Sequence, residues 1–136
     1  MKICFIMYPW ERVIASKDST LRIIHEAVKR GHEVSITHPS NLTIRDSITL
    51  SLCKQISLAE KLTSNITSFY KTVKFNTEMC PLKEFDVIFM RDNPPLDGLV
   101  LNFLDSIKDD VFIINAIDGL REANNKIYTA AYFDPE

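Results

Sequence analysis

The sequence predicts an α/β fold: a mostly parallel, doubly wound sheet with helices on both faces and an antiparallel hairpin at one edge. Three observations predict it. Short apolar runs alternate with amphipathic stretches of helical spacing along the chain. Residues 2–38 read as strand, helix and strand with a tight return, the βαβ unit that is nearly always right-handed and parallel. Two alternating runs, 42–45 and 48–56, flank Asp46-Ser47 and read as a hairpin.

The elements follow in order. Residues 2–7 are a continuous apolar run, as in a strand covered on both faces. A loop spans 8–18, and Asp18 or Ser19 can cap the next helix. Leu21, Ile24, Ala27 and Val28 recur at helical spacing, and Gly31 supplies the stop. Glu33–His38 alternates and is β-branched, a second strand. In the hairpin, Thr43, Arg45, Thr49, Ser51 and Lys54 are the expected solvated positions. Ser57–Ile66 reads as a short helix, and Phe69–Phe75 as strand or helix. Phe85–Met90 is an apolar strand that must turn before Pro94-Pro95. A helix over 96–108 carries Leu99, Phe103, Leu104 and Ile107 on one face. Val111–Ile114 is the fourth core strand, 115–119 a loop, and 120–132 a last amphipathic helix.

Composition narrows the function classes. At 136 residues, with 46% hydrophobic and 25% charged residues, the chain suits one core in a single domain, 1–136. A net charge of −2 without a basic stripe gives no nucleic-acid footprint. No apolar run reaches the roughly 18 residues of a membrane helix, and residues 1–7 lack a signal-peptide pattern. Cys4, Cys53 and Cys80 lack metal-site spacing and read as buried, reduced thiols of a cytoplasmic protein. His25, His32 and His38 are scattered and read as surface or helix-end residues, so no metal site is expected.

Ligands of open parallel sheets bind beyond the carboxyl ends of the strands. Three loops lie there: 8–18, 91–97 and 115–121. The three glycines, Gly31, Gly98 and Gly119, cannot form a glycine-rich phosphate loop, so a Rossmann-like sheet here lacks the usual pyrophosphate cradle. Arg91 sits where a strand opens into the crevice. It can hold a carboxylate bidentately, or pair with Asp18, Asp92 or Asp97. Lys17-Asp18-Ser19-Thr20 at a helix start can offer N–H groups to an anion, or can simply cap. Lys126, by position, is an ordinary solvated helix lysine.

The same loops carry a family resemblance. Met1–Met7, Tyr8-Pro9 and Lys17-Asp18-Ser19-Thr20 follow in order. Glu26–Val34 ends a helix in Arg-Gly-His-Glu-Val. Phe85–Asp97 reads Phe-Asp-Val-Ile-x-Met-Arg-x-x-Pro-Pro-x-Asp, and Asn115, Leu120, Arg121, Asn124, Lys126 and Thr129 complete a fourth motif. Together these resemble the amino-terminal (pre-ATP-grasp) domain of bacterial glutathione synthetases over nearly all the chain except residues 57–80.

The resemblance implies the front piece of an ATP-dependent ligase that joins γ-glutamylcysteine to glycine through an acyl phosphate, using ATP and Mg2+. It implies that later ATP-grasp domains, absent from this chain, hold most nucleotide and metal ligands, so the chain alone is not expected to be catalytic. It places Lys17, Asp18, Ser19 and Arg91 on the substrate side and Lys126 toward the ATP phosphates. It also implies a homo-oligomer through this domain. Three positions depart from the family pattern: Tyr8 replaces a loop aspartate, Asp92-Asn93 replaces Lys/Gln-Asp, and Ala116-Ile117 replaces Lys-Pro. A ligase for another acid and amine, or a binding or assembly module without catalysis, are the alternatives these leave open.

Overall fold

The computed structural model describes residues 1–58, 61–92 and 98–114, with the side chains of Gly98 and Leu99 outside that set. Within them the predicted fold class is observed. Strand β1 (Lys2–Met7) leads through helix α1 (Ser19–Lys29) to β2 (Glu33–Thr37). Strands β3 (Leu42–Arg45) and β4 (Ile48–Ser57) form the hairpin. Helix α2 (Ile66–Thr72) and strand β5 (Lys74–Pro81) follow, then β6 (Val87–Arg91), helix α3 (Gly98–Asp105) and β7 (Phe112–Ile114).

The sheet order is β3-β4-β2-β1-β6-β7, with β5 on the other side of β4. Pairs β2–β1, β1–β6 and β6–β7 are parallel, and the pairs involving β4 are antiparallel. The antiparallel edge therefore holds one strand more than the predicted hairpin.

Each helix sits where its apolar stripe meets a sheet face. Asp18 is the α1 cap, its Oδ1 accepting from the Leu21 N–H at 2.8 Å. Leu21, Ile24 and Ala27 are buried against Ile3, Phe5 and Met7 of β1 and Val34 and Ile36 of β2. Phe5 and Phe89, opposed in the β1–β6 ladder, stack with ring centroids 4.8 Å apart. On the other face Leu101, Leu104 and Ile107 pack over Cys4, Ile6, Ile88 and Met90. Gly31, at φ +84°, ends α1 in the left-handed region. Asp46 and Ser47, at φ 50° and 65°, make the two-residue turn that matches strand twist.

Several expectations are corrected. Thr49 and Ser51 are buried at 4% and 0% exposure rather than solvated. The face they occupy lies beneath α3, and their hydroxyls find partners there: Thr49 with Ser106 at 2.7 Å, Ser51 with Thr37 at 2.7 Å. His25 is buried rather than on the surface. It bonds the Thr63 carbonyl through Nε2 at 2.8 Å and meets the Phe69 ring edge-on. The short helix lies at Ile66–Thr72, not Ser57–Ile66, because Asn65 accepts from the Ser68 N–H and caps it there. Strand begins only at Lys74, so Phe69–Phe75 straddles both elements. The expected loop 115–119, helix 120–132 and Lys126 lie outside the described residues.

Candidate functional site

The chain reverses direction of sheet growth at β1. Strand β2 lies on one side of it and β6 on the other, so the crevice beyond β1 and β6 is the switch point where doubly wound sheets bind ligands. The register pairs Met7 with Arg91, which sets Arg91 beside the loop that starts at Tyr8.

Two linked sets of hydrogen bonds organise this crevice. Arg91 Nε donates to Thr20 Oγ1 at 3.0 Å, and Nη2 donates to Ser19 Oγ at 2.9 Å. Tyr8 donates its hydroxyl to Asp18, whose other carboxylate oxygen caps α1. Of the alternatives for Arg91, no ion pair with Asp18 or Asp92 is formed among the described residues. Asp18 is committed to Tyr8 and the helix, and Asp97 lies outside the described set.

The cause is local. Capping by Asp18 fixes the first turn of α1, so Ser19 and Thr20 project their hydroxyls toward the end of β6. Thr20 is 1% exposed, so its hydroxyl needs a partner and Arg91 supplies one. A guanidinium has five N–H donors. The two described bonds leave donors for an anion approaching from the crevice. Burial, then the bond to Asp18, raises the Tyr8 phenol above its ordinary value, so it stays a neutral donor.

Of the predicted site residues, the structure brings Asp18, Ser19 and Arg91 together. Lys17 is exposed, and its side chain makes no bond or ion pair among the described residues. Lys126 lies outside them. Sequence reasoning named Thr20 only for the backbone of the helix start and Tyr8 only as a departure from the family pattern, and gave neither side chain a role. The side-chain bonds themselves, Thr20 to Arg91 and Tyr8 to Asp18, join separate elements and carried no local signal.

Beside Tyr8 a hollow of about 130 Å³ opens beyond β1 and β2, lined by Trp10, Glu11, Thr37, His38 and Lys54 among others. Behind it, Trp10 meets Tyr70 at a tilt of 34° and Phe75 edge-on, and its carbonyl accepts from the Tyr70 hydroxyl at 2.7 Å. Pockets that enclose a drug-sized ligand hold about 300–1,000 Å³. This hollow is smaller than such a pocket.

Comparison with known sequences decides the family. A profile of the prokaryotic glutathione synthetase N-terminal domain matches residues 1–121. The chain belongs to that family. Similar relatives include glutathione synthetases from Buchnera aphidicola (30% identical over 98% of this chain), Synechocystis sp. (28%, 97%) and Vibrio cholerae (28%, 96%). The chain spans 41%, 43% and 40% of those relatives, about two fifths of their length. Within a glutathione synthetase N-terminal domain, then, the Arg91 crevice lies on the described chain, and among the described residues no cluster of His, Cys, Asp or Glu can hold a metal ion. No described helix is long and apolar enough to cross a membrane.

Proposed function

We propose that this domain forms the substrate-side wall of an ATP-dependent ligase joining γ-glutamylcysteine to glycine, as the resemblance in its loops implies. The observation that carries the reading is Arg91, held at the switch point by two hydroxyls from the first turn of α1. A guanidinium so braced loses little freedom on binding a carboxylate, and its planar fork suits one. In this reading Arg91 holds a carboxylate of the dipeptide, and Ser19 and Thr20 keep the guanidinium turned into the crevice. Asp18 and Tyr8 hold the turn that carries them, and Lys17 adds positive charge at the rim. ATP and Mg2+ supply activation of the reacting carboxylate as an acyl phosphate. The described residues do not fit a magnesium site, so their ligands are assigned to the remaining length of the relatives, with Lys126 reaching toward the phosphates. The domain acts in the cytoplasm and, in the same reading, as part of a homo-oligomer.

One observation favours a second reading. The Tyr8 hydroxyl, where the family pattern has an aspartate, turns inward onto Asp18. A phenol whose hydroxyl is taken by Asp18 then stands where the family pattern has a carboxylate, so a ligase for a different acid is the alternative.

The test is phosphate release by the protein from the complete gene, with ATP, γ-glutamylcysteine and glycine. Release that needs both substrates supports the reading, and its absence sinks it. In the active enzyme, Arg91→Ala raises KM for the dipeptide about ten- to hundredfold, the loss of a charged hydrogen-bonded contact. Arg91→Lys recovers little, because an ammonium cannot bridge Ser19 and Thr20 as the fork does. An unchanged KM for both would return Arg91 to a purely structural role.

A further inference from the structure

A second hollow, of about 400 Å³, is built by the segment that joins β4 to β5. It shares no lining residue with the hollow beside Tyr8. Its volume falls within the range of pockets that enclose small organic molecules, about 300–1,000 Å³. The lining sorts by chemistry. Leu58, Leu62 and Phe69 are apolar, and Phe69, 1% exposed, is the floor. Lys61 and Lys74 are exposed and stand at the mouth. None of the described lining residues is acidic, and neither lysine makes an ion pair among the described residues.

The wall is held from behind. His25 of α1, itself buried, donates from Nε2 to the Thr63 carbonyl at 2.8 Å and meets the Phe69 ring edge-on. Thr63 Oγ1 accepts from the Asn65 N–H at 3.2 Å, and Asn65 caps α2. Thr72 donates its hydroxyl to the Ser68 carbonyl at 2.8 Å. The Thr63 and Thr72 hydroxyls are therefore engaged within the protein. The Ser68 hydroxyl makes no bond among the described residues. Walls braced in this way lose little freedom when a ligand enters. What faces the hollow is an apolar floor, one hydroxyl and two ammonium groups. A neutral apolar ligand leaves both ammonium groups without a counter-charge, and an inorganic anion leaves the floor wet. A ligand with an acidic head and an apolar body answers both.

We propose that this hollow is a binding site for a small amphipathic carboxylate. Its ring or branched chain rests on Phe69, Leu58 and Leu62, and its carboxylate meets Lys61, Lys74 and the Ser68 hydroxyl. The inference rests on none of the ligase chemistry. Filling this hollow and turning over a substrate are separate observables.

The test is an NMR titration of the isotope-labelled 136-residue chain with phenylbutyrate and with its uncharged twin, phenylbutyramide. Phenylbutyrate should bind with a dissociation constant of about 1 mM or tighter, the scale open to so few atoms. The amide signals it shifts should centre on Lys61–Lys74. Phenylbutyramide should bind at least about fivefold more weakly. Lys61→Gln and Lys74→Gln should each weaken phenylbutyrate about three- to tenfold and leave phenylbutyramide nearly unchanged, which a merely structural effect would not do. Leu62→Ser, at a half-buried floor position, should weaken both ligands alike. Both lysines are exposed, and unchanged thermal melts check that folding is intact. Shifts centred on Ser19 and Arg91 would put the carboxylate in the crevice and overturn this site. So would equal binding of acid and amide, lysine variants that leave the acid's affinity unchanged, or no shifts at about 10 mM ligand.

Discussion

Tyr8 shows how one side chain ties a loop to a helix. Its hydroxyl donates to Asp18, and Asp18 in turn caps α1, so the first residue after β1 helps set where Ser19 and Thr20 lie. Burial and that bond raise the phenol above 10.0 in the folded state. An acid whose folded value is raised binds more protons folded than unfolded as pH passes 10. Its stabilising contribution is complete below about pH 10 and is lost as pH rises through the folded value. Tyr8→Phe should therefore cost about 1 kcal/mol at neutral pH. The gap between variant and parent should close in alkali. Urea titrations at neutral and alkaline pH measure both values, and a gap that widens in alkali contradicts the arrangement. At this scale Asp18, Ser19 and Arg91 were legible because capping and strand-end positions carry sequence signals. Thr20's bond to Arg91 was not, since it joins residues 71 apart in sequence.

At the scale of elements, local rules worked where local geometry decides. Gly31 ends α1 because φ +84° penalises any residue with a Cβ, and nothing lies within 4 Å of where that Cβ would stand. Gly31→Ala should thus lose about 1 kcal/mol of stability from backbone strain alone, and Gly31→Asn less. Chemical denaturation of the two variants checks the order, and equal losses would point to a packing cause instead. The hairpin turn at Asp46-Ser47 was legible from the two alternating runs that flank it, although both of its residues take positive φ. The facing of β4 was not. Its alternation was visible, but polarity misassigned the two faces. Thr49 and Ser51 point inward because α3 covers that face, the turn after α3 supplies Ser106 to Thr49 and β2 supplies Thr37 to Ser51, while Leu52, on the opposite face, stays 41% exposed. Hydroxyls can be buried wherever a partner waits, and the partner lies 57 residues away.

Over the whole molecule, the curled sheet gathers all three thiols on its α3 side. Cys4 and Cys53 are 0% exposed, and Cys80 packs against them from the rim. Burial first, then Cys53 and Glu78, push the Cys80 thiol up to about 12. The thiolate is the reactive form, so near neutral pH Cys80 should alkylate slowly, and Cys4 and Cys53 only on unfolding. Mass spectrometry after iodoacetamide should count one slow modification in native protein and three in denaturant. Fast native labelling of two or more would contradict this packing.

The sequence by itself determined the alternation of strands and helices over most of the described chain, the βαβ start, the Asp18 cap, the Gly31 stop, and the family. All of these rest on contacts within a turn or two of the chain, or on motifs readable in order. The tertiary structure alone decided the third antiparallel strand β5. It also decided the burial of Thr49, Ser51 and His25, and the bracing of Arg91 by Thr20 and Ser19. Each depends on which distant surface arrives to cover a residue or bond it, and neither periodicity nor propensity encodes that.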